Sequence, residues 1–137
     1  MKKLFLDVKL ADNREIPIDN FAYIGDAVFA LKYKIKLLND GRIKINKVNE
    51  KSKKFLSAHA HSKFVPLVEE LFSEEEHDIY KRAYNSRGAK KRGNDEEYRK
   101  STALEAVIGF LFLNERFDKI DKIFEVIDKC MFTVEMS

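Results

Sequence analysis

The sequence is poor in the residue types that form cross-links and soft metal sites. It contains one cysteine, Cys130, in 137 residues. An intrachain disulfide and a zinc site with several cysteine ligands are therefore excluded. Only three histidines are present, and His59 and His61 lie two residues apart. Because such a pair points to different sides of a helix, we expect no zinc site and predict that both are polar surface or groove residues.

Long apolar runs are also missing. No stretch approaches the ~20 apolar residues of a membrane span, and the run Leu4-Phe5-Leu6 is too short for a signal peptide. The sequence has no Gly-x-x-x-x-Gly-Lys-Ser/Thr loop for nucleotide phosphates, and no serine in a glycine-flanked elbow. We expect a reduced, soluble, cytoplasmic protein that is neither a P-loop enzyme nor a Ser-His-acid hydrolase.

Two apolar stretches each contain a single charge, and in both it is an acid. Asp26 lies in the middle of residues 21–31, and Glu105 lies near the start of residues 103–113. On a helix, the side chains three and four positions away offer neither acid a cation. These neighbours are Ala22, Tyr23, Phe29 and Ala30 around Asp26, and Ser101, Thr102, Ile108 and Gly109 around Glu105.

An unpaired charge is costly to bury, so each acid must be neutral, find a partner or hold a metal ion. A distant Lys or Arg could supply that partner, and both acids would then be structural. If the two helices pack together, the carboxylates repel each other unless a cation lies between them or one keeps its proton. Magnesium, a hard divalent cation that takes oxygen ligands and keeps several waters, meets that need.

The positive charges are concentrated in two segments. The whole chain has a net charge of only +3, but residues 42–54 and residues 81–100 each have a local charge of +5. Two such segments on a nearly neutral chain favour a surface that faces a polyanion. The alternative is that both are ordinary solvated faces.

Helical periodicity covers most of the chain and predicts an all-α fold. The first predicted helix covers 20–39, with Asp19 or Asn20 as its N-cap. The second covers 47–60 and continues to Leu71, with a disturbance at 62–66 near Pro66. Three more helices are predicted over 74–84, from 96 or 100 to 114, and from Phe117 onward.

Three local patterns refine this prediction. In the first helix, Leu31, Ile35 and Leu38 should continue the buried stripe. Ser73-Glu74-Glu75-Glu76 is typical of a capping box. Residues 42–48 alternate polar and apolar, which could indicate a strand, but without a partner strand a loop or a helix start is favoured.

Two motifs resemble those of a known family. Tyr23-Ile24-Gly25-Asp26-Ala27-Val28 resembles the signature helix of the ribonuclease III family, and residues 101–109, Ser-Thr-Ala-Leu-Glu-Ala-Val-Ile-Gly, resemble its second acidic helix. The order, the spacing and the small size are most similar to the short bacterial Mini-III branch, which has the catalytic domain without a double-stranded-RNA-binding domain. The similarity extends over about 18–127, so we expect residues 1–137 to form one ribonuclease III-type helical endonuclease domain.

The resemblance implies a homodimeric, magnesium-dependent endoribonuclease that cleaves double-stranded RNA, with large-subunit ribosomal RNA precursor as substrate and a ribosomal protein as a further partner. Asp26 and Glu105 match catalytic, metal-binding acids. Full-length ribonuclease III uses four acids, whereas Ala22 and Thr102 occupy the other two positions here, a departure that the Mini-III branch shares. Asp19 is a candidate outer-sphere contributor. The candidate RNA-binding residues are Lys53, Lys54, Lys81, Arg82, Arg87, Lys90, Lys91 and Arg92.

Two other functions remain compatible with the sequence. A non-catalytic RNA-binding helical dimer, acting as a ribosome-assembly factor, would keep the basic surface and leave both acids without a metal. A purely structural helical partner would associate with nucleic acid in a way that salt hardly affects.

Overall fold

The computed structural model describes residues 5–38 and 41–136, with side chains described as far as residue 131. From Ile18 onward this part of the chain forms six α-helices and no β-strand, which confirms the all-α class. The helices are α1 Ile18–Leu37, α2 Ile45–Leu56, α3 Ala58–Val68, α4 Glu74–Tyr84, α5 Glu96–Leu113 and α6 Phe117–Met136. Short 3-10 turns at Glu69–Leu71 and Ala89–Arg92 follow α3 and precede α5.

Helix α5 is the centre of the core. Every residue from Ser101 to Leu111 is buried except Glu105, which is half-buried. A helix that is apolar on all sides must be covered on all sides, and α1, α3, α4 and α6 pack around it. Glu105 thus marks the one side of α5 that remains open.

Two glycines let α1 and α5 pack backbone against backbone. A Cβ added at Gly25 would lie 1.7 Å from the carbonyl oxygen of Glu105, and one added at Gly109 would lie 1.8 Å from that of Phe21. No side chain larger than hydrogen fits at such distances. The crossing point of the two helices therefore lies beside Asp26 and Glu105.

Helix α1 begins earlier than predicted. Its N-cap is Pro17, with φ −56° and ψ 140°, and no side chain caps the first turn. The prediction of Asp19 or Asn20 as N-cap is therefore wrong, because proline is already set for the φ of a helix start. The described helix ends at Leu37, and its predicted end at residue 39 lies outside the described residues.

The predicted helix over 47–60 is two helices. Ser57 is extended, with φ −75° and ψ 157°, and its Oγ accepts a hydrogen bond from the amide of Ala60 at 3.0 Å, which caps α3. Helix α2 begins at Ile45, which confirms the helix start favoured over a strand for residues 42–48. Because α3 continues through Pro66 as far as Val68, the interruption lies earlier than predicted.

The capping box before α4 is confirmed. Ser73 Oγ accepts from the amide of Glu76 at 3.2 Å and donates to Glu76 Oε2 at 2.7 Å. The observed bounds of α4 equal the predicted 74–84, and α5 begins at the earlier of its two predicted starts. The Ser73-x-x-Glu76 pattern was therefore a sufficient local signal for the start of α4.

The apolar residues of α1 lie on two faces, of which the chain covers one. Phe21, Gly25, Phe29 and Tyr33 are buried. By contrast, Tyr23, Leu31, Ile35 and Leu38 are 79%, 50%, 58% and 59% exposed. The prediction that Leu31, Ile35 and Leu38 are buried is wrong for the single chain. The buried residues of α1 recur every four positions, and this spacing places Leu31, Ile35 and Leu38 on a different face of the helix.

No helix in the described part of the chain combines the length and the hydrophobicity needed to cross a membrane.

Replacing Gly25 with alanine tests the close approach of α1 and α5. Alanine favours a helix by about 1 kcal/mol over glycine, but its Cβ would collide with the Glu105 carbonyl. Overpacking costs roughly 1–3 kcal/mol or more, so we expect Gly25→Ala to lower the free energy of unfolding, measured by urea denaturation. Gly41→Ala is the control, since its Cβ would meet nothing within 4 Å; equal stability of the two variants would contradict the packing.

Candidate active site

The open side of α5 faces a pocket of about 410 Å³. Helix α1 contributes Asp26 to its wall and α5 contributes Glu105, while Arg92 comes from the second 3-10 turn. The structure thus brings both predicted acids, which are 79 residues apart in the sequence, into one pocket together with one of the predicted basic residues.

The environments of the two acids differ. Asp26 is exposed, so the prediction that it is a buried charge is wrong: it projects from α1 away from the stripe that packs on α5. The side chain of Glu105 is only 14% exposed. Burial raises the pKa of Glu105, and the nearby charge of Asp26 raises this pKa further, while His61 acts in the opposite direction.

Neither acid has a lysine or arginine partner in the described part of the chain. No Lys or Arg lies within ion-pair distance of Asp26 or Glu105 there, and Glu105 Oε2 is buried without a hydrogen-bond partner. This arrangement disfavours the structural alternative, in which each acid has its own guanidinium or ammonium group. The pocket wall instead contains three carboxyl groups, those of Asp19, Asp26 and Glu105, and one guanidinium group, that of Arg92.

The donor set fits a hard cation better than a soft one. Among the described residues, no group of three or more His, Cys, Asp or Glu side chains could hold a metal ion. A two-carboxylate site suits magnesium, which needs few protein oxygens and keeps several waters. Ala22 and Thr102 also line the pocket, and neither offers a carboxylate.

His61 contradicts the prediction that it is a surface or groove residue. It is 1% exposed, and its ring lies 4.2 Å from the ring of Phe29, centroid to centroid. Its Nδ1 lies 3.8 Å from Glu105 Oε2. His59, two residues earlier, is 68% exposed and contacts Glu97, as predicted for a surface residue. The sequence offers no signal that separates the two, because which of them faces α5 depends on how α3 packs.

A loop rich in basic residues, Asn85–Asn94, is attached to α1 beside the pocket; we call it the basic loop. The amide of Gly88 donates a hydrogen bond to Asp19 Oδ2 at 3.2 Å. A Cβ at Gly88 would lie 2.6 Å from Asp19 Oδ1, so a larger residue there would displace the Asp19 carboxylate. Asp19 therefore holds the basic loop against the helix that contains Asp26, a role that sequence analysis missed.

Arg99 braces both ends of the same loop. Its guanidinium donates to the Tyr84 carbonyl at 3.0 Å, to Asn94 Oδ1 at 2.8 Å and to Asn85 Oδ1 at 3.1 Å, and it lies 4.1 Å from the centroid of the Tyr84 ring. Part of the positive charge of residues 81–100 is therefore structural. Counting charges along the sequence cannot separate such a brace from a free cation.

All eight candidate RNA-binding residues are exposed. Arg92 lines the pocket, with its guanidinium 4.5 Å from the centroid of the Tyr98 ring. Arg82 contacts Asp78 at 3.8 Å on α4. Lys53 and Lys54 lie in the last turn of α2, just before Leu56 in the pocket wall. Of the eight candidates, Arg92 lines the pocket, while Lys53 and Lys54 lie on the helix whose last residue, Leu56, is in the pocket wall.

Known proteins share this sequence and this fold. The ribonuclease III domain family matches residues 19–116. A Mini-ribonuclease 3 from Kosmotoga olearia is 38% identical over 114 residues, which cover 83% of this chain and 79% of that protein. A Mini-ribonuclease 3 from Staphylococcus aureus is 38% identical over 104 residues, which cover 73% and 78%.

A crystal structure of a Fusobacterium nucleatum protein has a TM-score of 0.76 and 29% sequence identity, and the match covers 88% of this chain and 99% of that one. The family match spans well over half of the chain, and the same segment contains both acids of the pocket. The chain therefore belongs to the Mini-ribonuclease 3 branch of the ribonuclease III family of endoribonucleases.

Proposed function

We propose that this protein is a magnesium-dependent endoribonuclease that cleaves double-stranded RNA in the cytoplasm, with residues 1–137 acting as a single catalytic domain. One observation carries the proposal: the pocket joins Asp26 to Glu105, and no lysine or arginine of the described residues neutralises either. A site left negative in this way attracts a divalent cation.

Asp26 and Glu105 are the proposed catalytic residues and the proposed ligands of the metal. Bound magnesium would supply Lewis-acid polarisation of a phosphodiester and charge neutralisation at the scissile phosphate. The protein supplies orientation: Asp26 approaches from the exposed side of α1, while the burial of Glu105 limits its motion. Exposure of Asp26 leaves room for a duplex to approach the pocket.

The proposed RNA-binding residues would contact backbone phosphates. Lys81, Arg82, Arg87, Lys90, Lys91 and Arg92 follow the end of α4 and the basic loop, and Lys53 and Lys54 follow the end of α2. Phosphate contacts make affinity salt-dependent but carry little sequence information, and duplex RNA is recognised mainly by its shape and 2′-hydroxyls. We therefore expect a weak sequence preference.

A homodimer accounts for the uncovered apolar face of α1. Leu31 and Ile35 line an open apolar groove of about 380 Å³ together with Phe112 of α5. Tyr23, at 79% exposure, lies on the same helix beside the acid pocket. A two-fold dimer buries the same patch on both copies, and a second chain on this face would place one active site on each side of the interface.

For the natural substrate we propose large-subunit ribosomal RNA precursor, with a ribosomal protein as an additional partner. The support is the resemblance to the Mini-III branch, since nothing in the pocket distinguishes one duplex from another. Shape-based recognition leaves the choice of substrate to accessibility and to partners.

Asp26→Asn and Glu105→Gln should each abolish cleavage of a generic RNA duplex in magnesium, because each removes a proposed metal ligand. A gel assay with and without magnesium measures the effect. Cleavage at the wild-type rate by either variant would remove that residue from the mechanism. A wild-type protein that binds the duplex without cutting it would favour the RNA-binding assembly factor instead.

Thermal melting of Glu105→Gln is the control that shows whether this variant remains folded. Because burial raises the pKa of Glu105 in the folded state, its negative charge costs stability once the pH exceeds the ordinary value of about 4.5. Without metal at pH 7, the glutamine variant should melt at least as high as the wild type, and this gain should shrink as the pH falls to about 4.5.

Changing Lys90, Lys91 and Arg92 together to alanine should weaken duplex binding and flatten its salt dependence. Each lost phosphate contact lowers the slope of log affinity against log salt by about 0.7–0.9. Lys9, Lys122 and Lys129, which lie outside both basic segments, make a control triple with the same loss of charge. A slope that falls equally in both triples would assign the effect to net charge rather than to the basic loop.

Leu31→Glu should convert a dimer to a monomer, because it places a charge in the proposed interface. The half-exposed position should tolerate the change within one chain. Sedimentation equilibrium gives the mass, and Lys34→Glu, an exposed position on the same helix, is the control. A monomeric wild type, or a Leu31→Glu variant that stays dimeric, would reject this interface.

A further inference from the structure

His61 is a buried polar residue whose position the proposed chemistry has not yet used. Its ring is held between Phe29 of α1, at 4.2 Å, and Phe64 of α3, at 5.9 Å, centroid to centroid. The side chain is 1% exposed, and Nε2 is buried without a hydrogen-bond partner. A buried polar group that lacks full hydrogen bonding costs free energy that an apolar side chain would not, so packing alone does not explain histidine here.

The other ring nitrogen faces the active site. Nδ1 lies 3.8 Å from Glu105 Oε2, and this oxygen is also buried without a hydrogen-bond partner. The separation is slightly too long for a hydrogen bond, yet no other group of the described residues competes for the oxygen. A small rotation of the Glu105 side chain would close the gap, whereas the ring itself is fixed between two phenylalanines.

The tautomer follows from the surroundings of the ring. A neutral imidazole has one N–H donor and one acceptor nitrogen. If Nδ1 carries the proton, the donor faces a carboxylate oxygen and only the Nε2 lone pair is unmatched. The opposite tautomer would bury an N–H without an acceptor and would direct a lone pair at the carboxylate, which costs more.

We propose that His61 is a positioning residue: its Nδ1–H fixes one oxygen of Glu105 so that the other points into the pocket toward a divalent cation. This inference rests on the proposed function of Glu105 as a metal ligand. Carboxylates that bind metals are themselves commonly hydrogen-bonded, and loss of that partner lowers metal affinity by roughly 10–100-fold. His61 does not touch the metal or the substrate.

Two pairs of similar size separate positioning from packing. Asparagine and leucine have similar shapes and differ in whether they offer an amide donor, and glutamine and methionine form a larger pair that fills the site better. Beside Phe29 and Phe64, an apolar side chain should be at least as stable as its polar counterpart. A structural role therefore predicts that metal affinity follows stability, with leucine equal to or better than asparagine.

Positioning predicts the reverse order for metal affinity. Binding of Mn²⁺ to the RNA-free protein, followed by electron paramagnetic resonance, should weaken roughly tenfold or more in His61→Leu and His61→Met. Mn²⁺ binding should weaken much less in His61→Asn and His61→Gln. In thermal melting without metal, these two variants should be no more stable than His61→Leu and His61→Met. If the leucine variant does not fold, the glutamine and methionine pair decides.

The controls separate failure of this inference from failure of the proposed function. His77→Leu, at an exposed position on α4, should leave Mn²⁺ binding unchanged. If the wild type binds Mn²⁺, Glu105→Gln does not, and the apolar variants at His61 bind as tightly as the polar ones, the positioning role is overturned while the metal site stands. A wild type without measurable Mn²⁺ binding would overturn both.

Discussion

The contact between the backbones of α1 and α5 is the constraint on which the candidate active site depends. Glycines at positions 25 and 109 allow the two helices to approach until a single added carbon would overlap a carbonyl oxygen. At any larger separation the carboxylates of Asp26 and Glu105 would move apart. The surrounding helices complete this arrangement, because α3, α4 and α6 cover the remaining sides of α5 and leave only the side with Glu105 open.

The same crossing explains why the two acids are not equivalent. Glu105 emerges from a helix that is otherwise buried from Ser101 to Leu111, so its charge is destabilising in the absence of a cation. Asp26 emerges from the exposed rim of α1. No lysine or arginine of the described residues pairs with either acid, so the two acids leave negative charge at the site that the proposed cation would offset. The basic loop does not remove this charge, because Asp19 and Arg99 hold it at the pocket rim without pairing its cations to either acid.

The sequence predicted those features that depend on contacts within one segment. The capping box of Ser73 and Glu76 and the bounds of α4 follow from local hydrogen bonding and helical periodicity. The break at Ser57 was missed because a serine in a helical pattern can cap a new helix or continue the old one. The burial of His61 was missed because it depends on packing against Phe29, which lies 32 positions earlier.

The error at Leu31 and Ile35 is of another kind, because it concerns what covers a surface rather than where a helix lies. An apolar pattern predicts that a helix face is buried, but a partner chain can bury that face as well as the chain's own core can. On α1 one face packs on α5, the rim contains Asp26, and a further face is apolar yet exposed. A second copy bound there would restrain the helix that contributes one acid while α5 restrains the other acid. Association would then fix the geometry of the two carboxylates as well as bury apolar surface, which gives the proposed dimer a direct consequence for the chemistry of each site.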